Sequence, residues 1–153
     1  MLKKQASKSS ISSKSNSIKV VCRFRPPRNA DNISPFTISS ESNAVTYVSS
    51  ERKTFTFDRI FDVQTSQDQI FTELKEVVEG VIDGVNGTIL AYGQTSAGKS
   101  WTMDGILDDA SLQGVVPRSV DLLFSAVEKA PAHIHFHVII SYYEIYCEKL
   151  VLS

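Results

Sequence analysis

Cysteine, tryptophan and methionine are scarce in this chain of 153 residues, which holds two, one and two of them. Cys22 and Cys147 stand far apart, each inside an apolar run, which reads as two reduced thiols and argues against a disulfide framework or a cysteine metal site. No apolar run approaches the ~18 residues that cross a bilayer as a helix. The first residues also lack the apolar core of a secretory signal, so a cytoplasmic protein is expected, with no membrane partner. An excess of either charge is missing too. Sixteen basic residues against seventeen acidic ones leave a net charge of −1, which gives no footing for nucleic acid or an anionic membrane surface. What remains is an ordinary soluble composition, 42% hydrophobic and 22% charged, at a length that suits one domain with a real core.

One stretch stands out from this background. Gly93-Gln94-Thr95-Ser96-Ala97-Gly98-Lys99-Ser100 fits G-x-x-x-x-G-K-[ST] at every fixed position. Its flanks fit as well. Thr88-Ile89-Leu90-Ala91-Tyr92 reads as a short buried strand before it, and Ser100-Trp101-Thr102-Met103 as the start of a helix after it. A glycine-rich turn between strand and helix aims successive backbone N–H groups into one hollow, where the helix N-terminus adds partial positive charge. In that setting Lys99 reaches the β- and γ-phosphates of a nucleoside triphosphate and the Ser100 hydroxyl ligates Mg²⁺.

Taken in order, residues 1–17 carry seven serines, four lysines and no acid, and are expected to form a disordered tail. Residues 18–25 alternate like a strand, and Pro26-Pro27 stops it. A loop rich in Asn, Asp, Ser and Pro follows to about Ser42, with a short strand near Phe36 to Ile38. Residues 45–48 and 53–57 then read as a hairpin. Ser66 with Gln69 makes a capping box. It opens a helix whose apolar stripe runs through Ile70, Phe71, Leu74, Val77, Val78, Val81, Ile82 and Val85, and Gly84 and Asn86-Gly87 end it. After the phosphate loop the next helix is interrupted over 104–113 and resumes with Pro117 in its first turn. A long apolar strand is expected to Tyr146. Asp108-Asp109 reads as solvated loop and His133, His135 and His137 as one polar strand face, since their spacing of roughly 6.6–6.8 Å along a strand is too long for easy chelation of one ion.

Five segments, in chain order, resemble the kinesin motor domain. Ile18 to Pro26 is similar to that family's first strand with its R-x-R-P, and Phe55-Thr56-Phe57-Asp58-Arg59-Ile60-Phe61 to its F-x-F-D-x-[VI]-F. Gly84-Val85-Asn86-Gly87-Thr88-Ile89-Leu90-Ala91-Tyr92-Gly93-Gln94-Thr95 matches G-x-N-G-T-x-x-A-Y-G-Q-T, which separates kinesins from other P-loop proteins. Gly114-Val115-Val116-Pro117-Arg118 resembles G-[IV]-[IV]-P-R, and Ser141-Tyr142-Tyr143-Glu144-Ile145-Tyr146 resembles S-[YF]-x-E-I-Y. The conventional branch, kinesin heavy chain, is the most similar.

The resemblance implies an α/β fold, the three-layer P-loop NTPase architecture of kinesins, represented by its N-terminal, nucleotide-binding half over residues 18–153. It implies ATP or ADP with Mg²⁺ as ligands, tubulin in microtubules as partner, and a place in the cytoplasm on the cytoskeleton. Arg23, Arg25 and Pro26 would pack on the adenine. Trp101 would cover the base's other face, where the family usually has His or Tyr. Gly93, Gln94, Thr95, Ser96, Ala97, Gly98, Lys99 and Ser100 would hold the phosphates, with Ser100 on the metal, and residues 104–113 would be the insertion loop beside them. The departures are equally specific. Cys147 replaces the usual Asn, and neither the switch I serine/arginine motif nor the switch II D-x-A-G-x-E occurs in these residues. No apolar strand after Lys99 ends in an Asp that could anchor Mg²⁺. These residues alone are therefore expected to leave ATP unhydrolysed and microtubules ungripped, and the P-loop strand to have both edges open. A short nucleotide-binding or interaction module without catalysis, or an inactive remnant, is the alternative.

Overall fold

The computed structural model describes residues 18–27, 35–48 and 51–152. The Ser/Lys-rich stretch 1–17 lies outside them. Two compact units divide the chain, Met1–Thr65 and Ser66–Ser153.

The first unit holds two small sheets. β1 (Val21–Arg23) pairs in parallel with β5 (Arg59–Phe61), Cys22 standing opposite Ile60. Bonds beyond the strands lengthen this ladder: Phe24 N donates to Phe61 O at 2.8 Å and Asp58 N to Val20 O at 2.9 Å. Pro26-Pro27 follow directly, and the expected stop is where the pairing ends. β2 (Phe36–Ser39), β3 (Ala44–Val48) and β4 (Arg52–Thr56) form the second sheet, antiparallel throughout. The expected hairpin is thus β3–β4, with Val45 opposite Phe55 and the hydroxyls of Thr46 and Thr54 3.0 Å apart. Phe36 stacks obliquely on Tyr47 and faces Phe24, at centroid separations of 5.3 and 6.1 Å. Asn43 ties the two sheets. It takes a left-handed turn (φ 47°), its carbonyl accepts from Phe57 N, and its side-chain oxygen accepts from Ile60 N. Val45, Ile60 and Phe61 are the buried apolar residues among those described in this unit.

The second unit opens on α1 (Gln67–Ile82). Its capping box is complete: Gln69 N donates to Ser66 Oγ at 3.2 Å, and Ser66 N to Gln69 Oε1 at 2.9 Å. At the other end Gly84 is left-handed (φ 84°), Gly84 N donates to Val81 O and Val85 N to Gly80 O, the two bonds of a Schellman stop. After α2 (Lys99–Met103) comes α3 (Val115–Glu128), with Pro117 in its first turn as expected. α1 and α3 pack together, and Ile70, Val78 and Val115 on them are buried. The rest of both stripes stays open, and an apolar groove of about 290 Å³ runs along Val77, Val81, Val116, Val120 and Leu123.

Two expected strands take a different form. Residues 88–92 form no strand and pair with none among the described residues, and Leu90 is 83% exposed. A strand needs neighbours for its amides and carbonyls, and the open edges expected here leave it outside any sheet. The long strand expected through Tyr146 likewise shrinks to β6 (Tyr143–Tyr146). It pairs with β7 (Lys149–Leu152) around a turn in which Cys147 and Glu148 both have positive φ. His133, His135 and His137 precede it, outside any sheet.

Candidate functional site

The phosphate-loop motif forms a closed turn. Ala97 N donates to Gln94 O at 3.1 Å, and the backbone is left-handed at Ser96 (φ 65°) and Gly98 (φ 102°). Alternation of this kind around Ala97 turns successive N–H groups toward one hollow. Space does not force glycine at position 98, where a Cβ would meet nothing within 4 Å; the positive φ does. Gly98 caps α2, and its carbonyl accepts from both the amide and the hydroxyl of Thr102, at 2.9 and 3.0 Å. At five residues, α2 is too short to carry a full macrodipole, so the expected contribution of the helix end shrinks and the turn's own amides and Lys99 carry the positive field.

The Lys99 ammonium lies back across the loop, donating to Gly93 O at 2.8 Å and Gln94 O at 2.9 Å. A cation held at the mouth of an amide-lined turn is an arrangement that receives oxyanions. Gln94, Thr95, Ser96 and Ala97 are exposed, as are Ser100 and Trp101. The hydroxyl of Ser100 suits a hard divalent ion that keeps several waters. The residues therefore fit Mg²⁺-nucleotide. One unit thus brings together Gly93 to Trp101. Arg23, Arg25 and Pro26 belong to the other unit: Arg23 is half-buried on β1, its burial drawing the guanidinium pKa down, and Arg25 and Pro26 are exposed beyond it.

Beside the loop, residues 104–114 make a second closed turn. Gly114 N donates to Asp104 O at 2.9 Å and Ile106 N to Leu112 O at 3.1 Å. Within it the Asp109 carboxylate accepts from Ser111 Oγ at 2.6 Å and Ser111 N at 2.9 Å, which holds its carboxyl below the usual range. Two residues to which the sequence assigned no site role brace this turn. Arg118 donates to Gln113 O and Ala110 O and pairs with Asp68 on α1 at 3.2 Å. Gln67, only 4% exposed, sends its amide to Trp101 O at 2.6 Å and Leu112 O at 3.3 Å. Neither bond has a sequence signature, because partners 34 and 45 residues away share no local pattern with Gln67.

Comparison with known proteins decides the lineage. The kinesin motor domain family model matches residues 3–151. The chain belongs to the kinesin family. Kinesin heavy chain of Drosophila melanogaster is 40% identical over 139 residues, covering 88% of this chain and 14% of the fly protein. The Neurospora crassa heavy chain is 42% identical over 92% of this chain and 16% of its own length. Human kinesin-1 heavy chain is 41% identical over 87% and 14%. Among solved structures, that of a fast kinesin, studied for its ATPase mechanism and its interactions with microtubules, superposes with a TM-score of 0.82 at 41% identity. It covers 90% of this chain, which spans 40% of that one. The architecture is accordingly an incomplete kinesin-type P-loop fold, and this chain spans only a small part of its heavy-chain relatives.

Proposed function

We propose that this chain is the ATP-binding part of a microtubule-based motor, which works in the cytoplasm on the cytoskeleton by coupling ATP hydrolysis to movement. The observation that carries the reading is the turn at Gly93–Ser100, with its left-handed Ser96 and Gly98 and Lys99 at its mouth. In this reading the turn's amides and Lys99 take the phosphates of ATP or ADP. Lys99 exchanges the carbonyls of Gly93 and Gln94 for phosphate oxygens, Ser100 ligates Mg²⁺, and Trp101 with Arg23, Arg25 and Pro26 holds the adenine. Bound Mg²⁺ would neutralise charge between the β- and γ-phosphates.

Hydrolysis and microtubule binding are proposed for the whole protein. These 153 residues alone bind nucleotide without turning it over, because they carry neither switch motif and binding by itself does not lower a barrier. Titration with MgADP and MgATP tests the binding, and Lys99→Ala should weaken it about 10- to 100-fold. Steady-state turnover by the full-length protein, with and without microtubules, tests the motor. A full-length product without microtubule-stimulated ATPase sinks the motor reading; turnover by the 153 residues alone overturns the division of labour.

A further inference from the structure

We propose that Gln67 is a positioning residue for the phosphate loop, joining α1 to α2 and to the neck of the 104–114 turn; the inference rests on the nucleotide reading above. α2 cannot hold its own axis. It has five residues, and the carbonyls at a helix end have no intrahelical donor. Trp101 O sits at that end and receives the Gln67 amide at 2.6 Å, from the first residue of α1. The peptide so fixed follows Lys99 and Ser100 directly, the two side chains assigned to phosphate and metal.

The same amide reaches Leu112 O, which also accepts from Ile106 N across the neck of the neighbouring turn. That neck is a close backbone approach. A Cβ at Gly105 would strike Leu112 O, and one at Gly114 would strike Met103 O, so little sliding is available there. Arg118 holds the turn's far side through Gln113 O and Ala110 O, and returns to α1 through Asp68, next in sequence to Gln67. The start of α1 thus braces α2 and the turn together. A buried carboxamide is costly unless its groups are bonded, and here it is placed where a short helix lacks donors.

The experiment compares the native chain with Gln67→Met, which keeps the length and removes the donor. Amide hydrogen exchange over residues 104–114 without nucleotide and MgADP affinity are the two readouts. Exchange at Ile106 and Gly114 should rise, and MgADP should bind about tenfold more weakly, the size of one well-placed hydrogen bond. Ser66→Ala separates positioning from stability, because it weakens the same helix through its cap and touches neither Trp101 nor Leu112. An equal loss of MgADP affinity in Ser66→Ala, or unchanged exchange and affinity in Gln67→Met, overturns the proposal. If Gln67→Met shows no cooperative unfolding, Gln67→Asn, one methylene short of both carbonyls, is read in the same way. A native chain with no MgADP affinity removes the nucleotide reading and this inference with it; a native chain that binds beside an equally tight Gln67→Met removes the inference alone.

Discussion

Lys99 and Ser100 are neighbours on one turn of α2, yet they answer to different chemistry. The ammonium already makes two short bonds to carbonyls at 2.8 and 2.9 Å, so phosphate must offer more than those carbonyls do. A charged hydrogen bond to an oxyanion does so, and its loss in Lys99→Ala should weaken nucleotide binding about 10- to 100-fold. Equilibrium titration with MgADP measures it, and unchanged affinity would remove Lys99 from the site. Ser100→Ala should act on the metal instead. The gain in affinity that Mg²⁺ gives over EDTA should shrink, while binding in EDTA stays near the native value. Trp101, next in sequence and the sole tryptophan, supplies the signal for both titrations through its emission.

Between residues and fold stand the caps and turns. Ser66 and Gln69 satisfy each other's amides at the head of α1, so Ser66→Ala should cost about 1 kcal/mol of unfolding stability, seen as a lower urea midpoint at an unchanged slope. Asp109 gives the 104–114 turn a pH dependence. The two Ser111 bonds lower its folded pKa, so its contribution is present above the unfolded carboxylate's pKa and is lost as pH falls through the folded value. Protection of the Ser111 amide should therefore be flat around neutrality and collapse only in acid, and Asp109→Asn should flatten that profile. What the sequence made legible was the chemistry written in neighbouring residues: the capping box, the Gly84 stop, the β3–β4 hairpin, the phosphate turn and the break in the helix at 104–113. What it hid depends on partners distant in sequence. Residues 88–92 have strand composition, but composition cannot supply the neighbouring ladder. Gln67 reads as an ordinary residue one place after a cap until Trp101 O and Leu112 O come to its amide. β5 went unforeseen as well, because only its register against β1 makes a strand of Arg59–Phe61.

At the scale of the molecule the second unit shows apolar surface that a finished core would hide. Leu90 is 83% and Ile140 81% exposed, Ile139 and Ile145 lie open as well, and the groove between α1 and α3 adds Val81, Val116 and Val120. Each apolar Å² left in water forgoes roughly 25 cal/mol, which is large against a net stability of about 5–15 kcal/mol. The 88–92 backbone, which pairs with no strand among the described residues, adds an edge that a second chain can pair with. The 153-residue chain in isolation should therefore self-associate. Sedimentation should show its apparent mass rising above 16.9 kDa with concentration, together with binding of an apolar dye. Ile140→Lys with Leu90→Lys should reduce both, since the charges fall on exposed positions and leave Ile70, Val78 and Val115 untouched. A sharp monomer at every concentration, with no dye binding, would mean that this surface is covered in solution, and the open strand edges would then have to be paired within the chain itself.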